Sequence, residues 1–451
     1  MKFHINKILR RLLMLYTFVV IYTPNFSKSA YINYLLPFIY MLISMIFLRP
    51  IKRNHKIKGI FYFLAVLIAF WILAAMFFVI RALIAGVELT DIINLRIVQS
   101  ASIMATIISI SKIEHQLTMW KMDSEEKFKF ILNVAMIQAF IVIIMLLIPS
   151  LRNTLLNHFY QYGNGNHFTM EKRVYGIMSN YTFATPIFHG ILATLALVCG
   201  IIYNKKMYLY IPFLVLMIAL NGRTGILVFI LGIFITLIYF IIRNRYIKKM
   251  ILGLSVLLIL VGISLTFLKN YKLDTYNFLI SGIEDVANFI FYNEKHGNIE
   301  TLLENFSDNI NITTFVYGNG HKIQNSGDIP NNIIFFEGVY SDMGYLNDMY
   351  MGGILYMLLL YIPIMYFLLK KVNTVKISNE EKCLYNILKI FLTMTIILCN
   401  IKGEVFRSSI IIAGTIYLKL TIFDKKENKN EESIGHNGNI QNTRRYAERG
   451  Y

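Results

Sequence analysis

Runs of about twenty consecutive apolar residues recur along almost the whole of this chain, and no other feature constrains its fold as tightly. Such a run satisfies its backbone hydrogen bonds internally as a helix, which is what a bilayer without water requires. At about 1.5 Å per residue it also matches a hydrocarbon thickness of roughly 30 Å. Hydrophobic residues make up 56% of the 451 residues and charged residues 16%, against roughly 45–50% and about 25% in soluble domains. The mean hydropathy is +0.55. A soluble core could not absorb so many apolar side chains, so the chain reads as an all-α polytopic membrane protein.

The segments that qualify as spans are 12–23, 31–48, 59–80, 92–111, 130–148, 183–203, 207–221, 224–242, 250–268, 349–369, 384–400 and 404–422, about twelve in all. The basic stretch Met1 to Arg11 precedes the first of them. No small-residue cleavage site follows it, so it reads as a retained first span and not as a signal peptide. Lys and Arg collect in alternate loops, at Lys7/Arg10/Arg11, Arg49/Lys52/Arg53, Lys112/Lys121/Lys127/Lys129, Lys205/Lys206, Arg243/Arg245/Lys248/Lys249 and Lys370/Lys371. By the positive-inside rule those loops and both termini are expected in the cytoplasm. Two outer loops are then long, 149–182 and 269–348, the second between the ninth and tenth spans. Its stretch Ile333-Ile334-Phe335-Phe336 argues for packed short helices in place of a disordered excursion. The expected division is an integral membrane domain over 1–423 and a polar, disordered cytoplasmic tail over 424–451.

The formal net charge of +18 would suit nucleic acid, a membrane surface or an anionic substrate. Nucleic acid is disfavoured because the basic residues sit in short loops beside spans, where topology needs them. Cys199, Cys383 and Cys399 lie in or beside apolar segments at no metal-ligand spacing and read as core residues. No Walker loop, dinucleotide fingerprint, zinc motif or nucleophile elbow is present. No cofactor or metal is expected, so energy or a leaving group must arrive with the substrate.

The remaining candidates for chemistry are charged residues on the expected outer side. Arg223 stands in Asn221-Gly222-Arg223-Thr224-Gly225, a short turn between two spans. A charge at mid-bilayer costs at least ~2.5–3.5 kcal/mol and less near the interface, so a snorkelling anchor is one reading. In the other, guanidinium and helix-start amides converge on a phosphate. Arg173, in Lys172-Arg173-Val174-Tyr175-Gly176, is either a rim charge or a second anion ligand. Arg81, Arg96 and Arg407, near outer span ends, are single interfacial anchors or together an electropositive vestibule. Glu337, Asp342 and Asp348 lead into the tenth span through Gly352-Gly353. They are candidate general bases or hydroxyl binders, with helix capping the competing role for Asp342 and Asp348. His321, in Gly318-Asn319-Gly320-His321, is the other possible base or an exposed loop histidine.

Asn-Gly-Arg-Thr-Gly opening a span, a long outer loop, then Ser-Asp-Met-Gly-Tyr-Leu entering a Gly-Gly span resembles the Wzy-type polymerases of O-antigen and capsule repeats. The span number and the two long loops extend the resemblance up to about Phe423. It implies a GT-C-like glycosyltransferase that uses a lipid-phosphosugar donor. A growing undecaprenyl-diphosphate-linked glycan would pass to the non-reducing sugar of another lipid-linked repeat. Both substrates would sit at the outer face of a bacterial cytoplasmic membrane, with a chain-length regulator as a possible partner. The resemblance assigns Arg223 and Arg173 to the diphosphate, and Asp342 or His321 to the acceptor hydroxyl. Arg96, Arg407 and Glu337 would add substrate contacts.

The chain departs from that family in having no Arg over 273–348, where Lys295, Lys322 and His321 could substitute. Lysine holds phosphate as a point charge and not as a fork, so arginines paired across both long loops are not expected here. The related O-antigen ligases often show a His-Asn motif late in the large loop, whereas this chain reads Pro330-Asn331-Asn332. A ligase remains one alternative. A repeat-unit flippase is another, although no paired halves or internal repeat are visible.

Overall fold

The computed structural model describes residues 7–24, 30–49, 55–84, 86, 98–159, 174, 176–178, 183–243, 246–274, 276–277, 280–281, 284, 288, 312–318, 320, 344–370, 378–401, 403 and 405–423. These residues form helices and connections, with no strand among them. In chain order the helices are α1 (Lys7–Tyr22), α2 (Ala30–Phe47), α3 (His55–Ile84), α4 (Val98–Met119), α5 (Ser124–Leu147) and α6 (Pro149–Phe159). They continue with α7 (Ala184–Ile202), α8 (Ile211–Asn221), α9 (Thr224–Ile242), α10 (Ile247–Tyr271), α11 (Ile312–Tyr317), α12 (Gly344–Leu369), α13 (Asn379–Cys399) and α14 (Ser409–Phe423). A helix stands at each of the segments expected to span.

Among the described residues, six helical stretches are long and apolar enough to cross a membrane: Tyr62–Ile84, Ser124–Leu147, Ala184–Ile202, Thr224–Ile242, Gly344–Leu369 and Asn379–Cys399. The expected seventh span is divided into a 3₁₀ turn (Lys205–Tyr210), capped by the Asn204 side chain, and α8. With rises of about 2.0 and 1.5 Å per residue the two together reach roughly 28 Å. The first long loop carries α6 and the second carries α11, so each contains helix.

Local sequence explains the ends. Asp123 accepts from the Glu126 amide at 2.8 Å while Glu126 returns a bond to the Asp123 amide, a reciprocal capping box that starts α5. Ser378 caps α13 through the Glu381 amide, with Glu380 and Glu381 in the first turn against the positive end of the helix.

Periodicity sorts the helices by depth. α7 is apolar on every side and every one of its residues is buried. Residues Ile410 to Thr421 of α14 are likewise buried, so these two helices form the centre. α9 instead buries one stripe, Gly225, Val228, Phe229, Gly232, Thr236 and Phe240, and exposes Leu227, Ile230, Phe234 and Ile241. That second stripe is what a lipid-facing surface requires. The buried stripe lies on α7, where a Cβ at Gly225 would collide with the Pro186 carbonyl and one at Gly232 with Thr194. Small residues permit that close crossing. α3 runs along α12, with Phe63 stacked on Phe367 at 4.0 Å and Trp71 Nε1 donating to Leu360 O at 3.3 Å.

One end of the bundle is organised by buried lysines. Lys127 Nζ lies 2.7 Å from Glu114 Oε1 and 2.6 Å from Thr118 Oγ1, and the Tyr417 hydroxyl donates to Lys127 O. Lys112 donates to Leu48 O and Arg49 O at the end of α2. Lys419 donates to Leu368 O and Lys370 O at the end of α12. In both cases a lysine of one helix satisfies the orphan carbonyls that close another. Lys112 and Lys127, read from sequence as loop charges, are only 8% and 0% exposed. They belong to the packing because a carboxylate and helix-end carbonyls wait for them inside.

Candidate functional site

The opposite end of the bundle holds Arg223 and Asp348, two of the residues that sequence pointed to. Arg223 is partly exposed and immediately precedes α9, with its carbonyl accepting from Ile226 N at 2.9 Å. The turn before it is anchored by Asn221, fully buried, whose Nδ2 donates to Met217 O at 2.9 Å. The Thr224 and Gly225 amides precede the first intrahelical bond of α9, so they and the guanidinium belong to one helix start suited to an anion.

A second strand of chain is fastened to the same turn. Val174, the residue after Arg173, donates its amide to Leu220 O at 3.1 Å. Gly176, at φ +72°, then presses against the Gln138 side chain of α5, where any Cβ would overlap the amide. Val174, Gly176 and Met178 are all buried. Two motifs some fifty residues apart are thereby joined three residues before Arg223.

The start of α12 forms the other polar cluster. Asp348 is 1% exposed and accepts the Tyr361 hydroxyl. Asn400 Nδ2 donates to the Tyr361 oxygen at 3.0 Å, and Asn400 Oδ1 accepts from Val405 N at 3.0 Å. The Tyr361 ring stacks on Phe406 with centroids 3.9 Å apart. Asp348 is the fifth residue of its helix and binds a side chain further along, so helix capping is not its role. Tyr361 and Asn400 were missed from sequence. Their only signal there was polarity inside or at the end of apolar runs, which many structural residues share.

The two clusters sit on either side of the α7 N-terminus. Gly344 packs against Asn400 and Gly403, and Gly403 packs against the ring of Phe183, which leads into α7. One turn further, Pro186 meets Gly225, two residues beyond Arg223. Arg81, read as an anchor or vestibule charge, has a different task. It donates to Gly318 O at 2.6 Å and lies over the Tyr317 ring, and so fastens the segment after α11 to α3.

Of the sequence-derived site residues, Arg223 is placed. Arg173, Arg96, Asp342, His321 and Glu337 lie outside the described residues, as does the side chain of Arg407, whose backbone closes the 3₁₀ turn Val405–Arg407. Among the described residues no group of three His, Cys, Asp or Glu could hold a metal ion. Cys199, Cys383 and Cys399 are buried free thiols. Comparison with known proteins finds no matching family model, no matching curated protein and no matching solved structure.

Proposed function

We propose that this chain is a glycosyltransferase of a bacterial cytoplasmic membrane that polymerises undecaprenyl-diphosphate-linked oligosaccharide repeats on the outer face. In this reading the bundle has twelve spans and a GT-C-like architecture, both termini are cytoplasmic, and the lysine-rich end faces the cytoplasm. The observation that carries the reading is the Val174 N to Leu220 O bond. It ties the segment following Arg173 to the turn that ends in Arg223, so the motifs assigned to the diphosphate meet at one end of the bundle.

The chemistry balances without a cofactor. The acceptor hydroxyl oxygen attacks the anomeric carbon of the donor, and the bond from that carbon to the diphosphate breaks. The diphosphate departs with the electron pair, and the arginines stabilise its growing charge. The hydroxyl proton passes to Asp342 or His321. A fixed guanidinium is suited to this task because it stays charged and presents paired donors to phosphate oxygens.

Deleting the gene and sizing the lipid-linked and surface glycans tests the reading. Collapse of the ladder to one repeat unit is expected. A lipid-linked ladder that never reaches its final acceptor would replace polymerase with ligase, and repeats trapped on the cytoplasmic face would replace it with flippase.

A further inference from the structure

The helix Gly344–Leu369 is two helices. Gly353 has φ 67° and ψ −168°, a region open essentially to glycine alone. The helix kinks there, which lets Asp348 of the first part meet Tyr361 of the second.

This half-helix is held at both ends. At its C-terminal end Gly320 N donates to Met351 O at 3.1 Å, and Gly318 and Val316 press on Gly352 and Gly353. Arg81 fastens that clamp through Gly318 O. At its N-terminal end Tyr345 N donates to Asn400 O at 3.3 Å and the Tyr345 hydroxyl to Ile397 O at 2.8 Å. Asp348 lies between the clamps, and its bond to Tyr361 joins the half-helix to the body of α12. Asn400 extends that bond to the turn after α13.

An apolar residue of similar size would fill this place at lower desolvation cost. What a carboxylate adds is direction. It fixes the rotation and height of the half-helix against a hydroxyl that is itself oriented by an amide.

We infer that Asp348 is a positioning residue of the transfer reaction, acting through Tyr361 and Asn400 to set the half-helix that follows the proposed base Asp342. The inference rests on the polymerase reading. Asp348 is 1% exposed and bonded to Tyr361, so it acts on the register of the backbone that follows the base. Neither clamp uses the Asp348 side chain, so its loss is expected to leave the fold in place and to free the half-helix to turn between the clamps. Misplacement by about an ångström costs up to ~10²-fold in rate.

The test uses the full chain in nanodiscs, with Cys199, Cys383 and Cys399 replaced and Leu346→Cys added as a reporter on the buried side of the half-helix. Maleimide labelling of that thiol is measured beside extension of a lipid-diphosphate-linked repeat. Asp348→Ala and Tyr361→Phe are expected to expose the thiol and to slow extension about 10–100-fold, with the donor KM within about twofold. Asp348→Asn, whose amide oxygen still accepts from Tyr361, is expected to restore both. Slow extension in Asp348→Ala with the thiol still protected would overturn the inference, as would an exposed thiol with normal extension. If the parent chain extends nothing while Asp348→Ala still exposes the thiol, the latch is real, but the polymerase reading falls and the catalytic role of Asp348 with it.

Discussion

Asp348 and Tyr361 are thirteen residues apart in a single apolar segment, yet their side chains are hydrogen-bonded to each other. A continuous helix would separate them by about 20 Å along its axis, beyond the combined reach of the two side chains. The bond is possible because the helix kinks at Gly353, so backbone geometry at one glycine creates the polar cluster at the start of α12.

That geometry makes Gly353 irreplaceable. Gly353→Ala would strain a backbone that L-residues avoid and drive a methyl into the Val316 carbonyl. A loss of roughly 1–3 kcal/mol is expected from the backbone alone, read as a lower Tm in detergent. Gly262→Ala is the control, because a Cβ there meets nothing within 4 Å. Equal Tm values for the two variants would contradict the need for glycine at the kink.

Arg223→Ala is expected to abolish chain extension while abundance and membrane insertion stay at parental levels, because Arg223 is partly exposed and caps α9 through its backbone. Arg223→Lys should retain the charge but lose the fork, leaving partial activity. Glycan length on a gel, beside a blot for the protein, checks both. Normal polymer in Arg223→Ala would remove the phosphate role.

The buried pair at the other end offers a test of packing. Lys127→Met leaves Glu114 inside without its cation, and the expected cost is about 3–5 kcal/mol. Combining it with Glu114→Leu removes both charges and should recover much of that loss. Thermal unfolding of the two single variants and the double variant measures the coupling. Additive losses would mean that the ion pair contributes nothing beyond its separate residues.

Orientation is testable without knowing the substrate. A fluorescent protein fused after residue 423 should fluoresce in the cytoplasm, since the lysine-rich end is expected inside. Alkaline phosphatase fused within 149–182 should be active outside. The reverse pattern would invert the bundle and move Arg223 to the cytoplasmic face.

The periodic and compositional side of this protein was legible in its residues alone. Apolar runs placed a helix at every expected segment, because the spacing that satisfies a backbone away from water is a local property. The Gly-Arg-Thr-Gly turn was legible for the same reason, since a charge beside glycines at a span boundary stands out within a few residues. What only the tertiary structure decided were relations between distant positions. Lys112 and Lys127 looked like loop charges until the α2 carbonyls and Glu114 were found facing them. Asp348 read as either a general base or a helix cap until the kink at Gly353 brought it to Tyr361. The Val174 to Leu220 bond likewise has no sequence signature, because any residue but proline supplies the amide and any residue supplies the carbonyl. Local periodicity determines which segments are helices, whereas partners for buried polar groups are chosen by the packing of the whole bundle.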